Sequence, residues 1–324
     1  MYFIKYSGKV RQVNMNISVF SQVLVLLFLM ALGFLSFKLK ITTKKASEYF
    51  SSFALKITLP CLILTSFRRP FSMELLGEAF TTLGMAFCIY GIYLALGLIY
   101  PHLLRMKGPE RGVHRYVILN PNTGLVGYPV IIAIMGPYYL FHAVLFNLPA
   151  YVISFSIGAW LVAKESGKAP TISFKIFLTP PLIATIVGFF MFLFSCPLPA
   201  PLEQGIKMAG DITTPLFMMV TGISIAQANI RQMLGSWRLY ITVFTRLIIA
   251  PVIIGIFCYL AGFGTPFLML AVILTAMPAG STTTIMASVY DVAPEEAGSL
   301  VALSTMLCAI TIPIVAIVLF QIFG

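Results

Sequence analysis

Eleven residues in the middle of a strongly apolar run carry the features of this sequence best suited to binding chemistry: residues 119–129 read LNPNTGLVGYP. Two prolines that lack a backbone N–H and two glycines should interrupt a helix here. Amide and hydroxyl side chains occur at the same point. The candidate binding residues of this first break are Asn120, Asn122, Thr123 and Gly124, and its structural residues are Pro121, Gly127 and Pro129.

A helix that is interrupted inside hydrocarbon has a specific chemical meaning. Its free backbone groups are tolerated only where protein or a water-filled cavity satisfies them. The N-terminal end of a half-helix attracts a carboxylate, whereas the C-terminal end attracts a cation. The break therefore predicts a binding site for a small charged ligand, and the alternative is an ordinary proline kink.

A second stretch of the same kind follows nearer the C-terminus, where residues 276–284 read AMPAGSTTT. It aligns with the first break at an offset of 156 residues, and KITLP at 56–60 aligns with DITTP at 211–215 at an offset of 155. The agreement of the two offsets indicates an internal duplication. The site residues predicted at the second break are Pro278, Ala279, Gly280, Ser281 and Thr282.

The composition indicates what surrounds these breaks. Hydrophobic residues are 59% of the 324 and charged residues 10%, which excludes an ordinary soluble domain and indicates a polytopic membrane protein in the lipid bilayer. The net charge is +11, and most of the basic residues are predicted in short loops. This placement indicates that they set the orientation in the membrane and do not bind nucleic acid. The five cysteines are scattered and predict neither a disulfide framework nor a metal site.

Ten membrane-spanning segments can be placed on the chain, which is predicted to be all-α. A tail at 1–16 precedes a first repeat of five helices at 17–163 and a second at 164–324. Because five is odd, the second repeat must enter the membrane from the opposite side, as in the inverted repeats of secondary transporters. The predicted spans are 17–37, 46–67, 77–100, 113–135, 138–163, 178–195, 203–225, 237–260, 265–289 and 297–321.

The loop charges predict an orientation. Thirteen Lys and Arg residues lie in loops on one side of the predicted membrane and five on the other. The positive-inside rule then places both termini outside the cytoplasm, in a protein of the cell membrane. The first apolar run is longer than the core of a signal peptide and has no small-residue cleavage site after it, so it is predicted to be the first membrane helix.

Four charged residues remain inside or at the edge of the predicted spans. Lys56 and Asp211 occupy equivalent positions in the two repeats, and they are predicted either to form a structural ion pair or to serve coupling, with Asp211 titrating or holding a cation. Lys207 is expected to extend to the interface. Arg246 is predicted either to pack against helix-end carbonyls or to attract an anionic substrate.

Enzyme signatures are absent from the sequence. It contains no phosphate-binding Gly loop before a Lys-Ser/Thr pair, no His-Glu metal spacing and no nucleophile elbow, so neither an enzyme nor a cofactor is predicted. Asn147 is a further polar candidate for the site. His102 and His114 are predicted in a basic loop and His142 near a helix end, where they form no relay.

From about Met15 onward, the chain resembles the auxin efflux carrier family, within the wider group that includes bile-acid sodium symporters. The most specific element is NTGLVGYP at 122–129, which is similar to the family's N-x-G-x-x-G-x-P pattern in its fourth helix. ITLPCLILTSF at 57–67 and MPAGSTTTIMASVYDVAPEEAGSLVALSTMLCAITIPI at 277–314 extend the resemblance.

The resemblance implies two inverted five-helix repeats in which the fourth and ninth helices are broken and cross. It implies a scaffold of helices one, two, six and seven, and a mobile unit of the others that carries substrate by an elevator-like motion. Family substrates are organic anions, among them auxins and, for bacteria, malate or malonate. In that scheme Lys56 and Asp211 belong to the scaffold, which weakens a role for them in substrate binding.

The leading hypothesis is a secondary transporter of a small organic anion, either a carboxylate or an auxin-like weak acid, bound at the crossing. The alternatives are a cation-coupled symporter, a channel, a non-transporting membrane sensor and a sodium/proton antiporter, although an antiporter would need a carboxylate that this crossing lacks. Substrate identity, direction of transport, coupling to protons or sodium and homodimer formation are left open by the sequence.

Overall fold

The computed structural model describes residues 21–167, 178–228 and 236–323, and every regular element within these ranges is a helix. Seven of the helices are long and apolar enough to cross a membrane. In chain order the helices are α1 (Ser21–Lys38), α2 (Lys44–Ser66), α3 (Met73–Leu103), α4 (Pro109–Leu119), α5 (Thr123–Met135), α6 (Pro137–Ser166), α7 (Pro180–Leu193), α8 (Ala200–Gln227), α9 (Trp237–Leu260), α10 (Thr265–Thr275), α11 (Thr282–Tyr290) and α12 (Pro294–Phe323).

The all-helical class predicted from the sequence is confirmed, with helix edges that differ from the predicted ones by a few residues. The predicted tail at 1–16 and the start of the first helix at residue 17 lie outside the described residues. So do six of the cations counted for the predicted orientation: Lys5, Lys9, Arg11, Lys168, Lys175 and Arg231.

Four helices pack against one another on one side of the two broken helices. Helix α2 packs along α7 and along the first half of α8. Helices α1 and α8 cross so closely that a Cβ atom on Gly222 would lie 1.9 Å from the carbonyl oxygen of Met30. The helices α3, α4, α6, α9, α10, α11 and α12 pack mainly among themselves, around the breaks.

Three prolines in the membrane helices are each preceded by a short π-helical turn. These turns cover Ala54–Thr58, Thr123–Gly127 and Thr245–Ile249, and Pro60, Pro129 and Pro251 follow them by two residues. A proline ring clashes with the carbonyl four residues earlier, and the wider π-turn relieves that clash. The turns thereby set the direction of side chains within them, among which are Thr123 and Arg246.

The structure corrects the predicted ion pair between Lys56 and Asp211. The Asp211 carboxylate instead accepts from Lys207, one turn earlier in α8, at 3.0 Å. Both of these side chains are about 60% exposed (63% and 59%), and Lys56 is exposed as well. Helices α2 and α8 do pack together. A pair between Lys56 and Asp211 would require both helices to turn these side chains toward each other. Lys207 lies four residues from Asp211 on the same helix, so it is within reach however the two helices are rotated.

A buried ion cluster joins α4 to α6. The carboxylate of Glu165, whose side chain is 5% exposed, accepts from Arg111 at 2.8 Å and from Arg115 at 3.1 Å. The Arg115 side chain is itself 7% exposed. Arg111 and Arg115 are two of the thirteen cations predicted to lie in loops on one side of the membrane, whereas the structure places them in α4 with a carboxylate partner.

Replacing Glu165 with glutamine should destabilise the protein, because two arginines would lose their only carboxylate partner in the described chain. Removing one member of a buried ion pair costs about 3 kcal/mol or more, whereas an exposed pair contributes about 0–1 kcal/mol. Thermal unfolding of the detergent-purified variant measures the loss. The matched control is Asp211→Asn, which breaks an exposed pair, and equal melting temperatures for the two variants would contradict the prediction.

Candidate functional site

The two breaks predicted from the sequence lie against each other and exchange backbone hydrogen bonds. The N–H of Asn122 donates to the carbonyl of Pro278 at 2.8 Å, and the N–H of Gly280 donates to the carbonyl of Asn120 at 2.8 Å. The two segments thus form a single antiparallel bridge between α4–α5 and α10–α11. Each break thereby satisfies one backbone N–H and one backbone carbonyl of the other.

A cavity of about 150 Å³ lies beside this crossing. Since a water molecule takes about 30 Å³ in the liquid, the cavity has room for roughly five waters or one small organic acid. Predicted site residues that line it are Asn120, Pro121, Asn122, Thr123, Gly124, Gly280, Ser281 and Thr282. Predicted residues that do not line it are Gly127, Pro129, Pro278, Ala279, Arg246, Lys56 and Asp211.

The two asparagines of the first break have different roles. The side chain of Asn120 is occupied on both sides, since its amide oxygen accepts from Ser154 at 3.2 Å and its amide nitrogen donates to Thr282. Asn122 is half-buried, and its amide oxygen accepts the Leu125 N–H at 3.3 Å and so caps α5. Its Nδ2 group donates to no protein atom in the described residues, which leaves it for a ligand.

A second polar network supports the first break from α6. The hydroxyl of Thr123 donates to Oδ1 of Asn147 at 2.5 Å, and Nδ2 of Asn147 donates to the hydroxyl of Tyr128 at 3.2 Å. Asn147, a predicted polar candidate, lines the cavity. Tyr151 and Ser154 line it as well, and neither was predicted from the sequence. Ser154 begins the π-helical turn Ser154–Gly158 within apolar helix α6. A lone serine in an apolar sequence gives no signal that it faces a cavity.

The ends of the half-helices are not equivalent at this cavity. Residues of the N-terminal ends of α5 and α11 line it, and α11 begins without a side-chain cap. The last residues of α4 and α10, Leu119 and Thr275, are fully buried and do not line it. None of the lining residues is charged. Free N–H groups with partial positive charge, in a neutral polar cavity, suit a small anion.

Arg246 lies behind the crossing and not in the cavity. Its side chain is fully buried, and Nη1 donates to the hydroxyl of Tyr93 at 2.9 Å. That hydroxyl donates in turn to the carbonyl of Thr275, at the end of α10, at 3.1 Å. The link through Tyr93 fits the predicted interaction with helix-end carbonyls. The predicted attraction of an anionic substrate stays a prediction, since Arg246 does not line the cavity.

Two histidines are buried against carboxylates at the periphery of the bundle. His114 lies in α4, not in the predicted basic loop, and its ring contacts Glu296 at 2.8 Å and Thr242 at 2.5 Å. His142 contacts Glu78 at 2.9 Å. A more open cavity of about 500 Å³ adjoins Glu296 but shares no lining residue with the crossing. No cluster of metal ligands occurs in the described residues.

Comparison with known proteins identifies the family. A model described as a membrane transport protein family matches residues 18–172 and 169–316. An uncharacterized transporter of Methanothermobacter thermautotrophicus is 24% identical over 307 residues, which is 92% of this chain and 97% of that protein. An uncharacterized transporter of Methanocaldococcus jannaschii is 23% identical over 234 residues, 71% and 75% of the two chains.

A third relative carries a substrate in its name. A protein of Rhizobium meliloti assigned as a malonate transporter is 21% identical over 294 residues, 88% of this chain and 90% of its own. All three relatives are named as transporters, and the apolar helices fit a multi-pass membrane protein. Because the family model extends from residue 18 to residue 316, the chain belongs to the membrane transport protein family of auxin efflux carriers, and it is a membrane transporter, not an enzyme.

Proposed function

We propose that this protein is a secondary transporter of a small organic anion, which binds at the crossing of the two broken helices. The observation that carries the proposal is the polarity of the cavity: residues of the N-terminal ends of α5 and α11 line it, the last residues of α4 and α10 do not, and no acidic side chain is present. Such a site attracts a carboxylate and offers a cation no charged ligand.

The proposed architecture follows from the duplication. Counting α4 with α5 and α10 with α11 gives ten spans, which we divide into inverted repeats at 17–163 and 164–324 after a tail at 1–16. The packing of α1, α2, α7 and α8 against one another supports their role as a scaffold. The other helices would move as one unit that carries the crossing across the cell membrane. The loop charges support an orientation in which both termini lie outside the cytoplasm.

The size of the cavity favours a compact substrate. A dicarboxylate with three or four carbons fits a cavity of about 150 Å³. The malonate assignment of the Rhizobium relative agrees with this choice. We therefore propose malonate as the first substrate to test, with malate, succinate and indole-3-acetate as comparisons. Sodium and proton gradients, each imposed alone, test for coupling, and cross-linking in the membrane tests for a homodimer.

Uptake of radiolabelled malonate into proteoliposomes tests the proposal. Uptake should saturate, and unlabelled malonate on the opposite side should accelerate exchange, since a transporter presents one site alternately to the two sides. Uptake that rises linearly with concentration and shows no exchange would indicate a channel. Failure of every tested anion to move or to shift the melting temperature would overturn the proposal and favour a membrane sensor or a cation transporter.

Replacing Asn122 with aspartate should reduce malonate uptake by tenfold or more without unfolding the protein. Aspartate is as good a cap as asparagine, so the hydrogen bond from Leu125 is kept and the melting temperature should change little. The added negative charge would repel an anion in a cavity that otherwise has no charge. Asn122→Ala, which removes the cap and costs about 1 kcal/mol, is the comparison for a purely structural effect. Normal uptake by the aspartate variant would contradict the site.

A further inference from the structure

Arg246 is a cation buried in the membrane without a carboxylate partner. It has no exposed surface, and it lies in the π-turn of α9 just before Pro251. Its Nε and Nη2 groups have no partner among the described residues, so Tyr93 is the side chain that holds it. An arginine in this position is costly, and such residues usually serve a function.

None of the ten acidic side chains of the chain neutralises Arg246, although all ten lie in the described residues. Six of them pair with other cations or with histidines: Glu78, Glu110, Glu165, Glu203, Asp211 and Glu296. The other four are exposed: Glu48, Glu74, Asp291 and Glu295. The positive charge of Arg246 must therefore be balanced by dipoles, and the strongest candidate nearby is the end of a helix.

The geometry connects Arg246 to the carboxyl end of α10. The guanidinium carbon lies 5.1 Å from the centre of the Tyr93 ring and Nη1 lies 2.9 Å from its hydroxyl, which donates to the Thr275 carbonyl. Tyr90 packs edge-on against the Tyr93 ring at 5.9 Å and fixes its orientation. The C-terminal end of a helix carries partial negative charge, which a cation stabilises. Arg246 and the end of α10 thus complement each other across one tyrosine.

We propose that Arg246 is a built-in cation of the crossing. In transporters with broken helices, the carboxyl end of a half-helix is where a coupling cation binds. Here the end of α10 is buried, and its terminal carbonyl is already bonded to the tyrosine that holds Arg246. The arginine is thus a positioning residue: it supplies a permanent positive charge behind the anion cavity, and the crossing needs no sodium ion at this end. The inference extends the proposed function by assigning the charge that balances this half-helix.

Thermal melts of the purified protein test this inference without any substrate. The wild type should melt at the same temperature in sodium chloride and in choline chloride of equal ionic strength. Arg246→Met keeps the length of the side chain but removes the charge that complements the end of α10, so it should lower the melting temperature by about 2–4 °C. Arg246→Lys should recover more than half of that loss, and Tyr93→Phe, which keeps the ring but cuts the hydroxyl link, should fall between the wild type and Arg246→Met.

The matched control is Arg238→Gln, two turns earlier in α9, where the arginine is 32% exposed and pairs with Glu110. It should lower the melting temperature only slightly. Two results would overturn the inference: stabilisation of the wild type by sodium, or equal melting of the lysine and methionine variants. If neither Arg246 variant folds, the inference is still tested by two melting temperatures: that of the wild type in sodium against choline chloride, and that of Tyr93→Phe. Failure of malonate uptake would leave all of these melts unaffected, so it counts against the proposed function alone.

Discussion

Replacing Gly280 with alanine should reduce transport by at least tenfold. A Cβ atom at this position would lie 2.5 Å from Nδ2 of Asn120 and 3.2 Å from its backbone oxygen. The Asn120 side chain cannot turn away freely, because Ser154 and Thr282 hold it on both sides. The clash would therefore separate the two breaks and weaken the hydrogen bond from the Gly280 N–H to the Asn120 carbonyl, which is half of the bridge that joins them.

Gly124 provides the matched control for this substitution. It is a glycine of the first break and lines the same cavity, but a Cβ atom there would have no neighbour within 4 Å. Gly124→Ala should keep the melting temperature of the wild type and most of its uptake. Uptake by proteoliposomes and thermal unfolding should be measured for both variants. If the two alanine variants transported equally well, close contact of the breaks would not be required for transport.

The crossing itself could be predicted from the sequence, because its signals are chemical and local. Proline and glycine interrupt helices whatever surrounds them, and the offset shared with a second motif indicated that the two breaks correspond. Their contact through Asn120, Asn122, Pro278 and Gly280 is what the structure adds. The repeat alone suggested that the breaks meet. It did not indicate which ends of the half-helices would face the cavity. That orientation decides whether the cavity suits an anionic or a cationic ligand.

Partners that are distant in sequence could not be predicted. Arg246 depends on Tyr93, 153 residues earlier, and nothing in the apolar run around Tyr93 distinguishes it from other membrane tyrosines. His114 and Glu296 illustrate the same limit, since their contact depends on how α4 and α12 pack. The predicted pairing of Lys56 with Asp211 was wrong for a related reason: a repeat specifies equivalent positions, but not the rotation of each helix about its own axis.

Replacing Gly222 with leucine should prevent the protein from accumulating in a folded form. Helices α1 and α8 cross with their backbones in contact: a Cβ atom on Gly222 would lie 1.9 Å from the Met30 carbonyl oxygen, and one on Gly33 would lie 2.0 Å from that of Met219. Small residues permit such close approach of membrane helices. Any side chain at Gly222 or Gly33 would have to push the backbones of α1 and α8 apart. The clash is with backbone atoms, so neither helix can relieve it by changing a rotamer.

Gly91→Leu in α3 is the control for the Gly222 substitution, because a Cβ atom at Gly91 has open space within 4 Å. Size-exclusion profiles of the detergent-extracted proteins should show a monodisperse peak for the Gly91 variant and aggregate for the Gly222 variant. The milder changes Gly33→Ala and Gly222→Ala should each lower the melting temperature, and the double variant should lose less than the sum, since one separation of the helices relieves both clashes. Strict additivity would mean that the two glycines do not share a single contact, so that the close crossing of α1 and α8 is not what holds these four helices together.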